Sequence, residues 1–322
     1  MGKKTTPGQR RTRATRRLRR AIVAVAVLLV AVVALALHRR IDASGAASSA
    51  LSGGTAVDPS TFAPGACVTF PPTSGDRDIT VFLDAGHGGI DPGGVGVTES
   101  GSSIDEAEGT LPVEVDVVAL LRAKGFNVVV SRTGNSTVAK LTPSDVTQGT
   151  FTLQGAHDDV AARDVCADES HAQALVGIYY DAGGSAENAG SIAAYDADRP
   201  FASSNLRLAT LVQTDVLARM NAQGWGIPDD GVQTDDQLGS LDGDPESGGL
   251  AGQAAAYDHL LLLGPASPGY FDTPSTMPGT VIEPLYITDP FEGSIAASSK
   301  GQSVIAQGIA TAVEQYFGTR PA

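Results

Sequence analysis

From residue 67 onward, short apolar runs alternate with longer segments whose apolar positions recur every three or four residues. "ITVFLDAG" (79–86), "FNVVVSR" (126–132), "LVGIYY" (175–180), "GSIAAYDA" (190–197), "HLLLLG" (259–264) and "GTVIEPLY" (279–286) read as buried strands. Between them, "EVDVVALLRAKG" (114–125) reads as a helix stopped by Gly125, and 158–173 as a second. Residues 205–220 put Leu208, Leu211, Val212 and Val216 on one helical face, and 303–317 does the same with Ile305, Ile309, Val313 and Tyr316. Pro112 fits only a first turn, so the first helix is expected to begin near Thr110. The alternation predicts an α/β fold: a mostly parallel twisted sheet with helices on both faces, in one domain over 67–322. The glycine- and acid-rich stretch 224–252 is expected to be a long loop.

The N-terminal part has a different pattern. Residues 1–20 hold nine Lys or Arg and no acid, and read as a basic cytoplasmic tail. Residues 21–37 contain no polar residue and, at about 1.5 Å each, span about 25 Å as a helix. With basic residues before it, this segment is expected to enter the membrane with the N-terminus inside. It is either a retained anchor or a cleaved signal, and its length favours the anchor. Residues 38–66, rich in Ala, Ser and Gly, read as a flexible linker. The domain is therefore expected outside the cytoplasm, membrane-held or secreted.

Charge narrows the partners. The chain has 22 Lys+Arg and 36 Asp+Glu, and residues 1–40 hold 11 of the bases and none of the acids. The rest carries 11 bases against 36 acids, a surface that repels nucleic acid. The two cysteines, Cys67 and Cys166, are either a disulfide or two buried thiols. Closing so long a loop adds about 4 kcal/mol in the chain-entropy model.

Candidate chemistry is concentrated in "VFLDAGHGGIDPGGVG" (81–96). A buried strand delivers Asp84 and His87 into a loop of glycines, whose backbone freedom lets a ligand approach closely. A histidine there, walled by glycines and near carboxylates, is a metal candidate. The Walker Lys-Ser/Thr and the dinucleotide glycine spacing are both absent.

"LDAGHGGIDPGGVG" resembles the opening motif of the zinc-dependent N-acetylmuramoyl-L-alanine amidases of type 3, and the resemblance runs over about residues 77–318. Such enzymes cleave the amide between N-acetylmuramic acid and the stem peptide of bacterial cell wall. The resemblance implies peptidoglycan or muropeptides as substrate and Zn2+ as cofactor. It makes His87 the first metal ligand. Counting back from the Lys-Gly-aromatic turn at Gly125 makes Glu106 the second, with Glu99 and Glu108 as competitors. It places Arg163 and Asp168 on the middle helix. "MPGTVIEPLYITDP" supplies Glu283 as the catalytic proton carrier, with Tyr286 and Asp289 after it. In that chemistry zinc activates a water and Glu283 takes its proton.

The chain departs from the family at the second histidine. Where the family's strand reads Ser-Ile-His-Ala-Asn-Ala, this chain has Gly177-Ile178-Tyr179-Tyr180-Asp181-Ala182. Tyr179 takes the place of the second histidine, and a neutral phenol is a poor zinc ligand. His259, His157 and His171 are candidate replacements, His259 the best placed. Two expectations follow: a zinc-dependent amidase with an altered third ligand, or an amidase-fold protein that binds wall fragments or a partner hydrolase without turnover.

Overall fold

Strands and helices alternate along the residues described by the computed structural model, 51–238 and 249–318. In chain order they are β1 (Thr55–Ala56), β2 (Ala66–Phe70), β3 (Thr80–Ala85), β4 (Val95–Val97), β5 (Ser103–Asp105), α1 (Glu106–Ala123), β6 (Asn127–Arg132), β7 (Val146–Thr147), β8 (Thr150–Phe151), α2 (Leu153–Glu169), β9 (Ala174–Ile178), β10 (Ser191–Tyr195), α3 (Ala202–Asn221), β11 (Asp229–Thr234), α4 (Gly249–Ala256), β12 (Gly279–Glu283), α5 (Pro290–Ala296) and α6 (Ser299–Tyr316).

The main sheet runs β1-β2-β6-β3-β9-β12-β10-β11. Its four central strands, β6, β3, β9 and β12, are parallel, with β2 and β10 antiparallel on either side. The expected α/β class and mostly parallel sheet are therefore present. Successive residues of each central strand face opposite layers. Val81, Leu83, Val176 and Ile178 join α1, α3 and α6 in one core, and Phe82, Leu175 and Val281 join Cys166 and Ala167 of α2 in the other. Both faces are covered, which is why these strands read as unbroken apolar runs. Cys67 of β2 and Cys166 of α2 form a disulfide with Cα atoms 5.6 Å apart, which ties the second layer to the sheet.

Four expectations are corrected. Helix α1 starts at Glu106, not near Thr110, and contains Pro112. Its first N–H groups do not depend on the turn that proline weakens: Glu106 donates to the Gly94 carbonyl (2.9 Å) and Ala107 to that of Pro92 (3.0 Å). "HLLLLG" is a turn, not a strand; the Leu260 carbonyl accepts from Leu263 (3.0 Å) and Gly264 (2.8 Å). It sends Leu261 into a cluster with Tyr257 and Phe271, and Leu262 and Leu263 into the α2-side core. An apolar run alone cannot separate these cases. The expected loop 224–252 contains edge strand β11, paired parallel to β10, and the first half of α4. The linker expected over 38–66 is packed from β1 onward, because β1 pairs with β2 and Phe62 is 1% exposed.

The basic tail and the apolar stretch 21–37 lie outside the described residues. Among the described residues, no helix is long and apolar enough to cross a membrane.

Candidate active site

Three parallel neighbours set the site by register. Ala85 of β3 lies beside Ile178 of β9, which lies beside Ile282 of β12. The next row, at the carboxyl rim where α/β sheets bind ligands, is therefore Gly86, Tyr179 and Glu283. The bonds from Gly86 N–H to the Ile178 carbonyl (2.9 Å) and from Tyr179 N–H to that of Ile282 (3.0 Å) hold this row level. Asp84, Tyr179 and Glu283 face the α2 layer. His87 follows one residue beyond the rim.

His87 has φ +59°, the left-handed region that a side chain enters only when held there. Arg163 of α2 holds it, donating Nη2 to the His87 carbonyl (2.9 Å) and to Asp159 Oδ2 (2.9 Å), and Nη1 to Asp84 Oδ1 (2.5 Å). From the other side Arg132 of β6 donates to the carbonyls of Ala85 (3.0 Å), Gly86 (3.0 Å) and Ala107 (2.9 Å). Two buried guanidiniums thus fix the path of residues 84–88.

The His87 ring lies between two carboxylates, with Nδ1 2.8 Å from Asp91 Oδ2 and Nε2 3.1 Å from Glu106 Oε2. Burial acts against its protonation, but the hydrogen bonds and charges of Asp91 and Glu106 outweigh that and push the imidazole up to about 10. Glu106 stands at the first residue of α1, where the helix dipole favours an anion. Its oxygens also accept from the N–H groups of Gly94 and Tyr180, each at 2.9 Å. The competitors Glu99 and Glu108 are exposed.

Glu283 and His87 line one cavity of about 240 Å³, walled by Val160, Tyr179, Leu260, Leu261, Leu262 and Val281. Burial, then the nearby charges of Asp181 and Glu106, push the Glu283 carboxyl up to about 8. Asp181 is hydrogen-bonded to it and is itself raised by burial.

Tyr179 lies at the rim between Gly86 and Glu283, and its oxygen is engaged by Asp84. The phenol donates to Asp84 Oδ2 (2.9 Å), and burial and that carboxylate raise its pKa well above the ordinary value. Its ring meets His87 edge-on, with centroids 5.4 Å apart, and lies against Gly86. A Cβ at Gly86 would come 2.4 Å from the Tyr179 ring. Gly86→Ala is expected to lower stability by about 1–3 kcal/mol by overpacking, read as a lower urea midpoint.

The replacement histidines do not reach the cavity. His259 sits with Asp196 and Asp235, His157 packs on Tyr270 (centroids 4.9 Å apart), and His171 is exposed. Asp168 accepts from the Thr276 N–H and hydroxyl, and Asp289 caps α5. The sequence reading missed the parts played by Asp91, Asp159 and Arg132. Asp91 was visible four residues after His87, while Asp159 and Arg132 become neighbours of the loop only through the fold.

The profile of the N-acetylmuramoyl-L-alanine amidase family matches residues 81–315. The chain belongs to this family. Membership supports amidase activity for it, and family members are generally zinc-dependent. Solved structures agree on the fold. The CwlD amidase of Clostridioides difficile, in complex with the GerS lipoprotein, is 19% identical with a TM-score of 0.52, covering 74% of this chain and 98% of that one. The amidase AmiC2 of Nostoc punctiforme is 21% identical with a TM-score of 0.50, covering 76% of this chain and 99% of that one. No curated protein matches the chain at a significant level.

The family's zinc fits this amidase only in part. His87 and Glu106 are close enough to share an ion, with Asp91 behind the imidazole as an orienting carboxylate. Tyr179 does not supply a third donor, because its hydroxyl is protonated and committed to Asp84. Among the described residues, no three-ligand site is completed around His87 and Glu106.

Proposed function

We propose that this chain hydrolyses the amide between N-acetylmuramic acid and the stem peptide of peptidoglycan, with Glu283 as the group that moves the proton. The observation that carries this is a carboxyl raised to about 8, facing His87 across a largely apolar cavity. Such a group takes a proton from water and returns it to a leaving amine near neutral pH. The carboxylate of Glu106 and the His87 imidazole would meet the scissile carbonyl at the same rim. In this reading the domain works outside the cytoplasm, held by residues 21–37, and the Cys67–Cys166 disulfide supports an oxidising compartment.

A second reading, binding of wall fragments without turnover, is favoured by the Tyr179–Asp84 hydrogen bond. Incubating the purified full chain with muropeptides separates the two. Hydrolysis is expected to release stem peptide with a free N-terminal amine. Binding with no release, at neutral and alkaline pH and with zinc added, would leave the second reading standing and the first refuted.

A further inference from the structure

Behind the leucine wall of the cavity lies a group of side chains that the amide chemistry does not use. Asp196 follows β10, Asp235 follows β11, and His259 opens the turn whose Leu260, Leu261 and Leu262 line the cavity. Asp196 and Asp235 are 0% and 1% exposed. The ligand atoms of the three residues lie within 4.8 Å of one another.

Each carboxylate is divided in the same way. Asp196 Oδ1 accepts the N–H groups of Asp198 (2.5 Å) and Arg199 (3.1 Å), while its buried Oδ2 accepts no hydrogen bond and lies 3.3 Å from His259 Nδ1. Asp235 Oδ2 accepts from Leu260 N–H (3.1 Å), while its Oδ1 is in a long hydrogen bond, 3.3 Å, with the same Nδ1. One oxygen of each acid is tied to backbone and the other is presented to a single nitrogen.

A shared proton does not account for this. One N–H cannot serve two acceptors well, and 3.3 Å is long for a charge-assisted bond. Arg199, the adjacent cation, donates its guanidinium to the carbonyls of Leu263, Gly264 and Ser275 and to neither carboxylate. Asp196 Oδ2 is left as a buried carboxylate oxygen that accepts no hydrogen bond, which is costly. A divalent cation resolves both problems. Bonds of about 2.0–2.1 Å in tetrahedral geometry place ligand atoms about 3.3 Å apart. His259 Nε2, on the far side of the ring, faces the exposed Asp198 Oδ2 at 3.8 Å, beyond hydrogen-bond distance.

We propose that Asp196, Asp235 and His259 bind a zinc-class divalent cation, separate from the His87–Glu106 pair, which fixes the 257–264 turn and with it one wall of the cavity. The donor set is one imidazole nitrogen and two monodentate carboxylate oxygens, with a fourth position for water.

Zinc chloride and the chelator-stripped full chain provide the test, with bound zinc counted by atomic emission. One equivalent is expected to bind, to raise the Tm, and to persist in His87→Ala. His259→Ala and Asp235→Asn are expected to lose it. Asp198→Asn, at an exposed position beyond hydrogen-bond reach of the ring, is expected to keep it. Failure of the wild type to bind an equivalent, unchanged binding in His259→Ala, or loss in His87→Ala with retention in His259→Ala would each overturn the assignment.

Discussion

Glu283→Gln is expected to lower muropeptide hydrolysis by about 10²–10⁴-fold, the usual contribution of a positioned proton carrier, while binding changes little. The amide keeps the shape and polarity of the carboxyl but cannot accept the proton. The pH profile gives a second readout. As a base Glu283 works in its ionised form, so the wild-type rate at low substrate should rise as pH rises through about 8 and level off above it. The same shift has a stability consequence of definite sign. A carboxyl whose folded pKa lies above its unfolded value binds its proton more tightly when folded. Stability therefore falls as pH rises from the ordinary carboxyl pKa through about 8, and Glu283→Gln should be less sensitive to pH across that window. A variant that lost neither turnover nor this sensitivity would remove Glu283 from the mechanism. An enzyme that keeps a destabilising carboxyl in its cavity is trading stability for proton transfer.

The parts of this arrangement that were legible in the sequence are those carried by one segment. The buried strands 79–86, 126–132 and 279–286 announced themselves by apolar runs, and His87 and Glu283 by their places at the ends of two of them. Glu106 was found only through the resemblance, since its neighbour Pro112 argued for a later helix start. What overruled that was a pair of backbone bonds from the 92–94 loop, which periodicity does not record. "HLLLLG" failed for the opposite reason: its leucines divide between two clusters around a turn, and a composition rule sees only that they are apolar. Tyr179 was read at the end of the 175–180 strand, and it stands just beyond β9. Its true partner, Asp84, was not apparent, because the pairing crosses from β9 to β3 and depends on Arg163 arriving from α2. The His259 cluster likewise joins three segments distant in sequence.

Arg163→Met is expected to destabilise the fold by about 3–5 kcal/mol, the range for removing one partner of a buried ion pair. Arg163 is 1% exposed and faces Asp84 at 0% and Asp159 at 3%. The methionine keeps much of the apolar stem but leaves both carboxylates without their ion-pair partner, and frees the carbonyl of His87, while that of Ala85 keeps only its bond from Arg132. Urea unfolding measures the loss. It is separable from simple cavity formation by a second change: Asp84→Asn in the Arg163→Met background removes one stranded charge and should recover part of the stability, although Asp84→Asn alone is destabilising. Positive coupling of that kind, about 0.5–3 kcal/mol, is the signature of a shared network. Additive losses would instead mean that Arg163 contributes packing alone. The catalytic consequence follows from the backbone. With its carbonyl released, His87 has less to hold it at φ +59°, so its imidazole should leave the position between Asp91 and Glu106. The ion pair in which Tyr179 now participates is in this view what keeps the loop in working order, and the phenol is part of that support.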